Sequence, residues 1–132
     1  MAAATESTEE SGGSTIQVSV AVLFGAILAL VGLAAPVLAG PNGELLVFGR
    51  NYLHDAIHLA SGGAGLVAGY AGGAYAAKYN KALGVVYLLV TILGFAFFGV
   101  FADLIALNVA DNILHLLLAA AFIVVGFGLG GD

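Results

Sequence analysis

Cysteine and tryptophan are absent from this chain of 132 residues, and positive charge is scarce, with three Lys and Arg against eight Asp and Glu. The lack of cysteine excludes disulfide bonds and thiolate metal sites. The formal net charge of −5 argues against nucleic acid as a partner. Only 8% of the residues are charged and 61% are hydrophobic, which is far from the composition of a soluble protein. A chain of this length has room for one domain.

Charge is missing altogether from four long runs of the sequence. They are residues 11–43, 56–77, 82–102 and 112–131. Each run is about the length that a helix needs to cross a bilayer, roughly 20 residues. Helices are favoured there because every backbone group must be satisfied internally in lipid. We therefore predict an all-α fold, an integral membrane four-helix bundle, with spans at about residues 16–39, 52–76, 82–101 and 108–129.

The ends and the few basic residues predict how the chain is placed in the membrane. Residues 1–15 are rich in Glu, Ser, Thr and Gly, which predicts a disordered acidic tail before a transmembrane domain at 16–132. A cleaved signal peptide would begin with basic residues, so we expect the first span to be retained. Lys78 and Lys81 are expected in a short connection between spans two and three. The positive-inside tendency then predicts a multi-pass cell-membrane protein with both termini in the cytoplasm.

Two polar segments, NYLHDAIHL from Asn51 and NVADNILHL from Asn108, follow one template and begin 57 positions apart. This spacing is about one helical hairpin, so the chain is interpreted as two tandem hairpins, a parallel repeat related by an axis along the membrane normal. Each Asn precedes an apolar run and is predicted to cap a helix. Asp111 falls at the third helical position, where a carboxylate completes a capping box.

Three histidines and one aspartate occupy the other shared polar positions of this template. His54 and His58 share a helix face at a spacing of four, and His115 and Asp111 arrive from the fourth span. A structural role would be hydrogen bonding between helices. The functional alternatives are a divalent metal held by this polar cluster, a haem between His58 and His115, or a proton route. The residues alone leave these alternatives open.

The histidine-bearing face of span two continues into small residues at a spacing of four. They are Ser61, Gly65, Gly69 and Gly73. Small residues let helix backbones approach closely in lipid, so this ladder is predicted to be a helix-packing surface.

Three runs, NYLHDAIHLASGGAGL, ALGVVYLLVTILGF and NVADNILHL, resemble the membrane-protein family catalogued as domain of unknown function 4383, from about residue 20 to residue 125. The positions that carry the resemblance are Asn51, His54, His58, Gly62, Gly65, Gly84, Tyr87, Gly94, Phe95, Asn108, Asp111, Asn112, Leu114 and His115. Asp55 departs from the family pattern, in which an amide is commoner. The resemblance implies a four-helix membrane protein and no known activity.

Catalytic signatures such as HExxH, a nucleophile elbow or a phosphate loop do not occur in the sequence. We therefore expect no enzyme and no resident cofactor, but a non-enzymatic accessory or interaction protein in which the polar cluster joins helices two and four. Its expected partners are the lipid bilayer and another membrane protein or a second copy of the chain. The alternative function is a histidine-based metal, haem or proton-handling site in a small membrane carrier or redox subunit.

Overall fold

The computed structural model describes the backbone of residues 2–129 and the side chains of residues 14–129. It is mostly helical, with five helices and one two-stranded hairpin within that range. In chain order the elements are α1 (Ala2–Ala39), β1 (Asn42–Leu45), β2 (Phe48–Asn51), α2 (Tyr52–Ala71), α3 (Gly73–Ala96), α4 (Phe98–Ile105) and α5 (Val109–Gly128). The strands are antiparallel, with Asn42 opposite Asn51 and Leu45 opposite Phe48. The predicted all-α fold therefore lacked the hairpin and one helix.

Three of the described helices are long and apolar enough to cross a membrane. They are Ser14–Ala39 of α1, the whole of α3 and the whole of α5. This result is consistent with a membrane protein. α2 has the necessary 20 residues, but glycine, serine and histidine lower its hydropathy.

The boundary predicted between the second and third spans is wrong. α2 ends at Ala71 and α3 begins at Gly73, so Lys78 and Lys81 lie within the first turns of α3 and not in a loop. The break is at Gly72, where φ is +119°. Glycine adopts such an angle without the steric cost that a Cβ would add. A single residue therefore makes the connection that we expected from several.

Two other boundaries also differ from the prediction. α3 stops at Ala96, and α4 follows after a break at Phe97 with φ −124° and ψ 49°. Both segments are apolar, so hydropathy did not separate them. The backbone of α1 extends back to Ala2, through most of the segment that we predicted to be disordered. Alanine and glutamate, which are frequent there, are good helix formers.

Close contacts at glycines show that neighbouring helices run antiparallel. Along α1 and α2, Gly32 lies beside Leu59 and Gly25 lies beside Gly62. Along α3 and α5, Gly84 lies beside Ile123 and Gly94 lies beside Asn112. The Tyr79 hydroxyl on α3 donates to the Ser61 carbonyl of α2 at 2.8 Å. The buried core between these helices consists of Ala21, Leu28, Ala76, Tyr79, Tyr87, Ala119 and Phe122.

The predicted ladder of small residues is only partly a packing surface. Gly65 faces Tyr79 and the backbone of α1, and Gly69 faces Val22. Gly73 lies beyond the helix break at the start of α3, but it also packs against α1, because a Cβ there would clash with Ser14. Ser61 differs, because its hydroxyl donates to the Ile57 carbonyl of its own helix at 2.7 Å. The closest approach to the backbone of α1 is at Gly62, where a Cβ would lie less than 3.0 Å from backbone atoms of α1. The glycines that pack against α1 are therefore Gly62, Gly65, Gly69 and Gly73.

Candidate functional site

The two predicted capping residues bind their own helices and also reach across the molecule. The Asn51 side-chain oxygen accepts from the His54 amide at 2.9 Å, and the Asn108 oxygen accepts from the Asp111 amide at 3.0 Å. The remaining amide of Asn51 donates to the Leu104 carbonyl at 3.0 Å. The corresponding amide of Asn108 donates to the Val47 carbonyl at 2.9 Å. Each cap thus binds the segment that precedes the other capped helix, which is the hairpin turn before α2 and the end of α4 before α5.

Asp111 joins the hairpin to α5. Its Oδ2 accepts from the backbone amide of Asn108 at 2.9 Å, which completes the predicted capping box. The same oxygen accepts from the Gly49 amide of β2 at 3.0 Å. The carboxylate is buried at the start of a helix, where the aligned peptide dipoles favour negative charge.

A buried ion pair between Arg50 and Asp55 was missed by the sequence analysis. Arg50 Nη2 lies 2.5 Å from Asp55 Oδ2, and Arg50 Nε donates to both carboxylate oxygens at 2.9 and 3.1 Å. Arg50 Nη1 donates to the Gly40 carbonyl at 2.6 Å, just after α1. The hydrogen bond to Asp55 raises the pKa of Arg50 above its ordinary value. The signal in the sequence was an Asp in an apolar helix, because a buried charge needs a partner.

The three histidines converge between α2 and α5. The ring centroids of His54 and His58 are 4.5 Å apart. The ring centroid of His115 lies 5.9 Å from that of His54 and 6.3 Å from that of His58. One candidate ligand nitrogen on each ring lies within 4.8 Å of the other two. His54 and His115 are buried, and His58 is half-buried. We call His54, His58 and His115 the histidine triad.

Several nitrogens of this triad lack hydrogen-bond partners among the described residues. They are both ring nitrogens of His54 and Nδ1 of His115. The carbonyl groups of Gly49 and Ile105 lie near His54, but neither meets it in hydrogen-bonding geometry. Buried polar atoms in proteins are normally paired, so these nitrogens can bind a ligand that enters the cluster.

Two cavities meet at the histidine triad, and all three rings line both of them. The larger cavity has a volume of about 320 Å³ and lies between α1, the hairpin, α2 and α5. The smaller one, of about 200 Å³, lies between α2, α3, α4 and α5. Tyr87 of α3 lines the smaller cavity, and its ring centroid lies 5.1 Å from that of His115.

A second buried polar contact, which the sequence analysis also missed, joins α1, α3 and α5 nearer the other end of the helices. Asn80 donates to the Gln17 side-chain oxygen at 2.8 Å, and Gln17 Nε2 donates to the Val125 carbonyl at 2.7 Å. Gln17 and Asn80 are 1% and 0% exposed. Asn80 lies between Lys78 and Lys81, in the connection predicted between spans two and three. Its buried role follows only from the corrected start of α3.

The triad geometry fits a single metal ion better than a haem. Nitrogens about 2.1 Å from a tetrahedral metal lie about 3.4 Å apart. The three candidate nitrogens lie up to 4.8 Å apart, so they need to approach one another by only about 1.4 Å. Side-chain rotation can supply this movement. A haem between His58 and His115 would need a wide flat slot, whereas the His54 ring lies beside both of them.

Comparison with known families confirms the resemblance stated from the sequence motifs. The family model described as Domain of unknown function (DUF4383) matches residues 17–128. None of the curated proteins matches the chain, and none of the solved structures does. Since the matched region covers most of the sequence, the chain belongs to the DUF4383 family.

Proposed function

We propose that this member of the DUF4383 family is a small multi-pass membrane protein that binds a divalent transition-metal ion on His54, His58 and His115, in a non-enzymatic accessory role. The observation that carries this proposal is the convergence of three imidazoles, with one nitrogen of each within 4.8 Å of the others. Imidazole is a preferred ligand of zinc, copper, iron and nickel. The unpaired nitrogens of His54 and His115 support ligand binding over simple packing.

The proposed membrane topology has four spanning helices, α1, α2, α3 and α5, arranged as a four-helix bundle. α2 has 20 residues, which corresponds to about 30 Å of helix and to the thickness of a bilayer core. Its one charged side chain, Asp55, is close to its start and paired with Arg50. The antiparallel contacts of α1 with α2 and of α3 with α5 support two hairpins.

The reciprocal hydrogen bonds of the caps support the proposed tandem repeat. Asn51 and Asn108 lie 57 positions apart, and so do the carbonyl groups that accept from them, Val47 and Leu104. A twofold relation between two hairpins would exchange these two hydrogen bonds. Under this arrangement the histidine triad lies near one membrane surface, at the boundary of the two halves. The lysines near the start of α3 lie at the opposite surface and favour a cytoplasmic location for it. Both termini would lie on the same cytoplasmic side.

A purely structural role for the polar cluster is the second candidate. The cluster already joins the hairpin, α2 and α5 through Asp111 and both Asn caps. An accessory protein that presents its outer surface to a membrane partner or to a second copy would need this rigidity and no metal. The unpaired triad nitrogens favour the metal, because a structural cluster would be expected to pair them.

Metal binding can be tested on protein purified in detergent without a histidine tag and stripped with a chelator. Titration with Co²⁺ should give visible absorption bands of a tetrahedral site that saturate at one ion per chain, and Zn²⁺ should displace them. His54→Gln, His58→Gln and His115→Gln should each abolish the bands while circular dichroism shows the helices intact. Glu44→Gln removes an exposed carboxylate from the hairpin and should leave binding unchanged. Absence of the bands from the unmodified protein would reject the metal site and leave the structural role. Binding by all three His variants that equals binding by the unmodified protein would do the same.

A further inference from the structure

We infer that the larger cavity is a binding site for the head group of a neutral lipid quinone. This inference concerns a second ligand and does not require the metal. The cavity's volume of about 320 Å³ lies at the lower end of the range for small-molecule pockets, roughly 300–1,000 Å³. Such a site would hold a ring-sized head group and leave a long tail outside the protein.

The walls of the cavity are suited to an amphiphilic ligand. One side is formed by apolar residues of α1 and the hairpin, and the other side ends at the histidine triad. Ile27 and Leu46, which are 47% and 84% exposed, line the cavity and also reach the molecular surface. In a bilayer that surface faces lipid, so a tail can remain in the membrane while the head group enters between α1 and the hairpin.

In the metal-free protein, charge excludes an anionic lipid as the favoured ligand. Among the described residues that line the cavity, Arg50 is the single cation, and its guanidinium is occupied by Asp55 and the Gly40 carbonyl. Two carboxylates, Asp55 and Asp111, lie on the same wall. A fatty acid or phosphate head group would therefore meet negative charge without a free partner. The ligand that fits is uncharged.

Hydrogen bonding selects a quinone among uncharged lipids. A neutral imidazole carries one donor and one acceptor, and both nitrogens of His54 are buried without a partner in the described part of the chain. Nδ1 of His115 is also free. A quinone carbonyl accepts from an imidazole N–H, and the hydroxyl of the corresponding quinol donates to the bare nitrogen. Metal ligation uses the bare nitrogen of a ring and leaves its N–H, so a metal and a quinone carbonyl do not need the same atoms.

The inference can be tested by binding of a benzoquinone with a ten-carbon tail to the full chain in lipid nanodiscs. The chain has five Tyr and no Trp, so quenching of tyrosine fluorescence reports binding, and the α1 variants described below assign it to the larger cavity. We expect saturable binding of one molecule per chain. A ten-carbon alkane and decanoate are the comparison ligands, and neither should compete. Competition by the alkane would mean an unselective apolar cavity, and competition by decanoate would mean an anionic-lipid site; both results would overturn the assignment.

Two variants of α1 provide a matched pair for this experiment. Val31→Phe fills the cavity and should weaken quinone binding at least tenfold, whereas Val37→Phe, on a side chain that is 83% exposed, should not. His54→Leu should weaken quinone binding by removing the free nitrogens. Val31→Phe should still bind Co²⁺, since it leaves the triad in place. Equal quinone binding by all of these variants would overturn the inference whether or not the metal site exists.

Discussion

The guanidinium of Arg50 lies 2.5 Å from the carboxylate of Asp55, and both side chains are at most 5% exposed. Arg50 also donates to the Gly40 carbonyl, so one cation connects the end of α1 to the first turn of α2. Asp55 is the position at which this chain departs from the pattern of the family it resembles. The ion pair explains how a carboxylate is tolerated there, because Arg50 neutralises its charge.

The first prediction concerns the loss of one member of this ion pair. Arg50→Gln should lower the free energy of unfolding by roughly 3–5 kcal/mol, because Asp55 would remain as an unpaired buried charge. The double variant Arg50→Gln/Asp55→Asn should recover part of this loss. Both values can be measured by denaturant titration in mixed micelles, followed by circular dichroism. A double variant that is no more stable than the single one would contradict the model of charge compensation.

The second prediction separates the two roles of Asn108. Asn108→Ala removes both the cap and the hydrogen bond to Val47, and it should lower the free energy of unfolding by about 1–2 kcal/mol. Asn108→Ser keeps a capping oxygen but is too short to donate to the Val47 carbonyl. Its stability should therefore lie between that of the Asn108→Ala variant and that of the unmodified protein. Asn42→Ala, at an exposed side chain, is the control. If Ser restores full stability, the contact with the other half contributes nothing.

The parts of the site that could be predicted depend on local rules. An Asn before an apolar run caps the helix within three residues, and a spacing of four places His54 and His58 on one face. The template shared with the second segment then suggested that His115 would lie near His58, and their ring centroids are 6.3 Å apart. These inferences needed no knowledge of distant contacts.

The remaining features depend on contacts that periodicity does not contain. The hairpin turns at Leu46, with φ 59°, and not at a glycine, so its sequence carried no usual turn signal. The partner of Asp55 lies five residues before it, outside the helix. Gly62 was named in the sequence only through the family resemblance, although it makes the closest approach to the backbone of α1. Which glycine packs tightly depends on the register between two helices, and that register is a tertiary property.

The third prediction tests that register with three glycines of α2. A Cβ at Gly62 would clash with backbone atoms of α1, whereas one at Gly69 would meet chiefly the side chain of Val22, which can rotate. A Cβ at Gly63 meets nothing within 4 Å. Gly62→Ala should therefore cost roughly 1–3 kcal/mol through overpacking, and Gly69→Ala should cost less. Gly63→Ala should be neutral or stabilising by up to about 1 kcal/mol, because alanine is the better helix former.

Thermal unfolding of the three alanine variants in one detergent gives the required order of stability. Equal tolerance at Gly62 and Gly63 would mean that α1 and α2 pack in another register. The order also distinguishes packing from helix propensity, because propensity alone would make all three substitutions stabilising.

The last prediction concerns the proposed orientation. The chain contains no cysteine, so single cysteines can be introduced at exposed positions on either side of α2. Asn42 lies in the hairpin and Ala71 at the end of α2, and both are exposed, whereas Asn80 is fully buried and unsuitable for labelling. In intact cells a membrane-impermeant maleimide should label the Asn42→Cys variant and not the Ala71→Cys variant. Both should react once the membrane is permeabilised. Labelling of Ala71→Cys alone would invert the orientation and place the histidine triad near the cytoplasm. Labelling of both in intact cells would show that α2 does not cross the bilayer, and the proposed four-span topology would fail.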